Sequence, residues 1–281
     1  MEERCDTAAV ILRTTRLYAT SLRRIVPRGG ASPGRLGREE RLVFVVGSPR
    51  SGTTFLAEAL GGLPGFVDLG EVAPLKAAIP ELYGLPGAAA EIRRILDRIR
   101  RLGLVAGLRA VEQTPEVSFV LPSALEAFPQ AHAVHIVRDG RDVVCSLLER
   151  GWLNADRAGQ DDARLPYGAR ARFWVEPERA GEFERASEAT RAAWAWRRYV
   201  SAARSLPERT LEVRYESLTG DREGVARAIA RHLDVPPEAV LPNLATAHAE
   251  SIGRYLRDLN AEQLEDVERE AGPLLHELGY A

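Results

Sequence analysis

The chain has 281 residues, 45% of them apolar, and a formal net charge of -2. That length and composition allow a large buried core, while the near-balance of charge excludes a nucleic-acid coat or a polybasic membrane patch as the organising feature. The cations are unevenly chosen, because Lys76 is the only lysine and every other one is arginine; anion chemistry here must rely on guanidinium groups, which bind oxyanions bidentately and stay charged. The two cysteines, Cys5 and Cys145, are too few for a disulfide framework or a zinc site. The acidic start has no uninterrupted apolar core and no run is long enough to span a bilayer, so the sequence reads as cytoplasmic.

In chain order, residues 8–26 place Ile11, Tyr18, Leu22 and Ile25 at helical spacing among arginines. This predicts an amphipathic helix packed on its own domain, the other reading being a membrane or partner surface. Residues 27–40 read as a flexible joint, so the expected organisation is a helix and linker over 1–40 followed by a single domain over 41–281. Leu42–Val46 (LVFVV) is an unbroken apolar run of the kind buried on both faces of a parallel sheet. A helix is expected from near Thr54. Ala133–Val137 (AVHIV) and Thr210–Tyr215 (TLEVRY) are two further strands, each followed by a helical pattern. Helical segments are also expected around 91–103, 119–127, 186–206 and 261–277. The alternation predicts an α/β three-layer sandwich with a central parallel sheet. Residues 152–183, with mixed charge, Gly, Pro and aromatics, read as an insertion over the acceptor side of a site instead of a core element. Its Trp152, Phe173 and Trp174 suit either ring stacking or core packing.

The stretch GSPRSGTTFL, Gly47–Leu56, follows the first strand. Gly47, Gly52, Thr53 and Thr54 have the spacing of a phosphate loop, in which backbone amides and a helix amino terminus surround an anion. Thr53 stands where such a loop carries lysine, and the cation, Arg50, has moved into the loop. The second strand ends in Arg138 before Asp139, which suggests a second anion site and argues against a magnesium-dependent triphosphatase or kinase. Two anion sites far apart in sequence suit a nucleotide with phosphates at two separate positions.

Together, PRSGTT (Pro49–Thr54) and VRDGRDVVCSLLER (Val137–Arg150) resemble the sulfotransferases that use 3'-phosphoadenosine 5'-phosphosulfate, PAPS. The resemblance covers roughly residues 42–281 and implies the phosphate-loop nucleotide-hydrolase-like sulfotransferase fold, with PAPS as sulfuryl donor, PAP as product and no metal. It implies that Arg50, Ser51, Gly52, Thr53 and Thr54 surround the 5'-phosphosulfate. It further implies that Arg138 and Ser146 hold the 3'-phosphate, with Arg150 a further contact as in the tyrosylprotein branch. VRYESL makes Tyr215 the candidate at the adenine, and SIGRYLRDL offers Ser251, Gly253 and Arg254 as a segment closing over the nucleotide. Glu71, twenty-one positions beyond Arg50, matches the general base of the tyrosylprotein and carbohydrate enzymes, while Arg50 stabilises the transferring group.

One departure stands out. The family's EKTP reads EQTP here, Glu112–Pro115, so the lysine that helps stabilise the sulfuryl group is Gln113, an uncharged donor. Another arginine, or Lys76, has to compensate, or activity is lowered or lost; a non-catalytic nucleotide-binding protein is the competing reading. Among the histidines, His135 reads as buried structure and His248 as the only substitute for Glu71 worth naming. The expected acceptor is a carbohydrate or small-molecule hydroxyl, with homodimerisation left open.

Overall fold

A computed structural model describes residues 18–25, 42–101, 108–154 and 168–280. In chain order these form α1 (Ala19–Ile25), β1 (Leu42–Val46), α2 (Thr53–Gly61), β2 (Phe66–Gly70), α3 (Ala73–Leu82), α4 (Ala88–Arg101), β3 (Arg109–Glu112), α5 (Leu121–Ala127), β4 (His132–Val137), α6 (Gly140–Arg150), α7 (Ala180–Arg185), α8 (Glu188–Ala203), β5 (Thr210–Arg214), α9 (Arg222–Leu233) and α10 (Ala261–Glu277). Tight turns and single helical turns fill the joints, among them the 3-10 turn Pro115–Val120.

All five strands are parallel, in the order β2-β3-β1-β4-β5. The register sets Val43 beside Val111, Val45 beside Val134 and Ile136 beside Val213. β1 is central and buried along its whole length, as its β-branched run requires. Its alternate residues point to opposite layers. Leu42, Phe44 and Val46 pack with Ile92, Leu96 and Leu121 of α4 and α5, while Val43 and Val45 pack with Leu56, Leu60 and Ile229 of α2 and α9. A further apolar cluster joins α6, α8 and α10 around Trp194, Trp196 and Leu275. The result is the three-layer α/β sandwich expected from the alternation of strands and helices.

Two strands escaped the sequence reading. β2 (FVDLG) and β3 (RAVE) are short and carry charges within or at the end of the run. The described part of the amino-terminal helix packs on the domain: Tyr18 is buried and its hydroxyl donates to Ile95 O at 3.1 Å, and Arg24 pairs with Asp68 of β2. Expectations for residues 8–17 and 27–40 fall outside the described residues. Within the described part of 152–183, two aromatics pack into the core instead of facing a ligand. Trp174 and Phe183 are completely buried, ring against ring 5.4 Å apart, and Phe183 meets Trp194 of α8 at 5.5 Å. They therefore build core, and Trp174 is not available to stack on a ligand.

Parallel strands all end at one edge of the sheet. The loops after β1, β2, β3, β4 and β5 thus bring Gly47, Glu71, Gln113, Arg138 and Tyr215 to the same rim. Because the chain passes from β3 across β1 to β4, the crevice between β1 and β4 is the topological switch point, where open α/β sheets take their ligands.

Candidate functional site

The loop after β1 is shaped by what lies beside it. Gly47 has φ +145°, and a Cβ there would run into Ile136 O of β4; its amide donates to Ser118 Oγ at 3.2 Å. Arg50 and Gly52 have φ +70° and +99°, and a Cβ on Gly52 would fall 2.8 Å from the Tyr215 ring. A left-handed conformation costs a non-glycine residue about 1–2 kcal/mol, so Arg50 is held by its contacts. α2 begins at Thr53, directly after Gly52, and its first amides have no intrahelical acceptor, which is the basis of anion binding at a helix start. Ser51 Oγ is buried with no hydrogen-bond partner. A buried hydroxyl without a partner is costly, and an anion seated against the loop would remove that cost.

The second motif meets the first across the switch point. Arg50 Nε donates to Ser146 Oγ at 3.0 Å, although 96 positions separate them. Arg138 is 6% exposed; Nη1 donates to Arg50 O at 3.4 Å, Nη2 to Ser251 O, and Nε has no partner. Its guanidinium lies 4.8 Å above the Tyr215 ring. Trp196 Nε1 donates to Arg138 O at 3.1 Å, and Gly140 lacks the Cβ that would strike the Trp196 ring. Arg138 also pairs with the buried Asp142 at 3.7 Å, and that carboxylate ties down a second segment. Asp142 accepts from the amides of Gly253 at 2.9 Å and Tyr255 at 3.1 Å, which fastens the segment after β5 onto α6. Arg254 in that segment is paired with Asp258 at 2.7 Å and Glu149 at 3.2 Å. Tyr215 braces the arrangement, since its hydroxyl donates to His248 O at 3.1 Å. Arg150 lies one turn beyond Ser146 on the same helix face, at the exposed end of α6.

Glu71 follows β2, where the register with β3 shifts and Gly70 takes φ +66°, an irregularity of the kind that re-aims the next side chain. The loop it stands on is held from β3. Gln113 N donates to Gly70 O at 3.4 Å, and Glu112 Oε1 accepts from Val72 N at 3.3 Å, Thr114 N at 3.1 Å and the Thr114 hydroxyl. Burial pushes the Glu112 carboxyl up to about 7 against the pull of those donors, and the nearby Glu71 charge pushes the same way. Lys76 Nζ sits 2.7 Å from Glu71 Oε2 and 3.7 Å from Glu116 Oε2. Ser118, in the same turn as Glu116, is the group that holds Gly47, so the carboxylate side and the phosphate loop share one anchor.

The residues expected at the site thus meet: Arg50, Arg138, Ser146 and Ser251 form one hydrogen-bonded assembly, Tyr215 joins it through its ring against Arg138, and Asp142 fastens the backbone on either side of Arg254. Asp142, Ser118, Glu116 and Trp196 were missed. Only Asp142 left a trace in the sequence, as a carboxylate four positions after Arg138. His135 is buried beside Glu212 at 3.2 Å, and burial pulls its imidazole down. Among the described residues no helix is long and apolar enough to cross a membrane.

A family model described as the sulfotransferase family matches residues 43–239. No curated protein matches the chain in sequence. The structure is similar to that of mouse sulfotransferase SULT7A1 complexed with PAP, at a TM-score of 0.52 and 13% identity over 88% of this chain and 90% of that one. It is similar to a sulfotransferase domain from the curacin biosynthetic pathway, at 0.51 and 16% over 88% and 99%, and to sulfotransferase STF9 from Mycobacterium avium, at 0.50 and 17% over 94% and 84%. At these identities the solved structures speak for the fold. The family model spans well over half of the chain, and the protein belongs to the sulfotransferase family.

Proposed function

We propose that the protein transfers a sulfuryl group from PAPS to a hydroxyl of a carbohydrate or small-molecule acceptor and releases PAP. The observation that carries this reading is the contact of Arg50 with Ser146 and of Arg138 with the Arg50 carbonyl, which places a helix amino terminus and a second cationic patch side by side at the switch point. The buried, unpartnered Ser51 Oγ and Arg138 Nε fit two anionic groups of one ligand. The complex of the mouse relative with PAP supports the same nucleotide.

When bound, PAPS supplies the sulfuryl group and the leaving phosphate. In this reading Arg50, Ser51, Gly52, Thr53 and Thr54 hold the 5'-phosphosulfate, and Arg50 and the start of α2 neutralise charge where it develops. Arg138, Ser146 and Arg150 hold the 3'-phosphate. Tyr215 faces the base, and the segment with Ser251, Gly253 and Arg254 covers the nucleotide. Glu71 takes the proton of the acceptor hydroxyl as that oxygen bonds to sulfur, and the electron pair of the breaking sulfur–oxygen bond leaves with PAP. No step here calls for a metal ion. Glu112, the carboxylate that closes a strand beside β1, spends Oε1 on three donors and holds its proton to about pH 7, so it is a poor ligand for the magnesium of a kinase.

The test is PAP release from PAPS over a panel of sugars, phenols and tyrosine peptides. Turnover with a sugar or small phenol supports the reading; PAP binding without turnover on any acceptor makes the protein a non-catalytic nucleotide binder.

A further inference from the structure

Lys76 is the only lysine of the chain and is 3% exposed. Lysine is almost never fully buried unless it is paired, and placing an ammonium between carboxylates costs desolvation that an apolar residue would avoid. The pairing here is specific. Nζ binds Glu71 Oε2 at 2.7 Å, with Glu116 Oε2 3.7 Å away, and Glu116 is itself buried, its Oε1 accepting from the Tyr199 hydroxyl of α8 at 3.1 Å. The Lys76 amide donates to Val72 O at 3.0 Å, while Val72 N is held by Glu112. The residue after Glu71 is therefore tied by its carbonyl to α3 and by its amide to β3.

We propose that Lys76 is the positioning residue for Glu71, fixing Oε2 so that the carboxylate stays ionised and in one orientation, and bringing into this loop the cation that position 113 does not carry. The inference rests on the reading of Glu71 as general base. The charged groups around Glu71 include Lys76 of α3, in contact with it, Glu112 of β3, which senses its charge, and, against the same ammonium, Glu116 of the turn Pro115–Val120. The Lys76 ammonium favours the ionised carboxylate, so removing it raises the pH at which Glu71 ionises.

Because lysine occurs once, labelling with [15Nζ]lysine reports Lys76 alone. In Glu71→Gln its titration midpoint falls by about one unit or more, the loss of one opposite charge at this distance; an unmoved midpoint overturns the pairing. The converse measurement follows the Glu71 carboxyl by 13C NMR. Its midpoint rises by about one unit or more in Lys76→Gln and returns toward the original value in Lys76→Arg, with PAP affinity within about twofold throughout. A midpoint unchanged in Lys76→Gln leaves Lys76 a packing residue and overturns the inference. PAP release at an undiminished rate in Glu71→Gln sinks the base reading itself and leaves the coupling between the two groups intact, so the two failures are told apart.

Discussion

The two ends of the site use charge in opposite ways. On the side proposed for the nucleotide, Arg50 and Arg138 are held by a hydroxyl, backbone carbonyls, an aromatic ring and the buried Asp142, and guanidinium groups do not titrate in the working range. On the side proposed for the acceptor, Glu71, Lys76, Glu112 and Glu116 lie in mutual contact or hold one loop, and such groups change charge with their surroundings. Both ends hang from the same loop, one through Tyr215 against Gly52 and the other through Ser118 on the Gly47 amide. Under the proposed function the difference predicts that binding and turnover are separable: nucleotide affinity would follow fixed charges, and turnover titratable ones.

The largest effect that tests this division comes from Arg138→Ala. Truncating a buried, hydrogen-bonded charge costs about 2–5 kcal/mol, so PAP affinity measured by calorimetry falls by about 100-fold or more, equally at pH 6.5 and 8.5; a shallow or strongly pH-dependent loss breaks the comparison. Next is Glu112. Its folded carboxyl holds the proton to about pH 7 while the unfolded one releases it near the ordinary glutamate value, so the folded state binds more protons in between and stability falls as pH rises through that window. The loss amounts to about 3 kcal/mol above pH 7. Chemical denaturation at pH 5 and 8 shows the parent losing more stability, or gaining less, than Glu112→Gln across that interval, since the histidines whose imidazoles burial pulls down act the other way in both; equal changes contradict the assignment. Glu71→Gln is expected to lower turnover at least about tenfold with PAP affinity within about twofold, which sharpens the separation of the two ends. Arg150→Ala is the smallest, a loss of at most about fivefold in PAP affinity, because a cation at an exposed helix end contributes up to about 1 kcal/mol.

Much of the nucleotide side is legible in the sequence because it depends on local order. LVFVV before GSPRSGTT and AVHIV before RDGRD are strand, turn and helix in succession, and the parallel sheet then places both turns at one rim. The acceptor side is less legible. FVDLG and RAVE are short strands whose buried place at one side of the sheet, not their composition, makes them strands, and Glu112 sits in one of them as a buried carboxylate. Lys76 is conspicuous as the only lysine, yet nothing near it in sequence says that it reaches Glu71 or Glu116, since Glu116 lies 40 positions on, in the turn after β3. Ser118 and Trp196 act on backbone groups of distant segments, and such contacts leave no local pattern. Trp174 illustrates the converse, an aromatic in a Gly- and Pro-rich stretch that turns out to be core.

The measurement that bears most directly on the central claim is a calorimetric titration with PAP and with 5'-AMP, both in excess chelator. The two ligands differ by the 3'-phosphate alone. The geometry of Arg138, Ser146 and Arg50 predicts that PAP binds without metal and at least about 100-fold more tightly than 5'-AMP, the discrimination expected of a buried charge-paired site. Equal affinity for the two, or binding only of a magnesium nucleoside triphosphate, would contradict it.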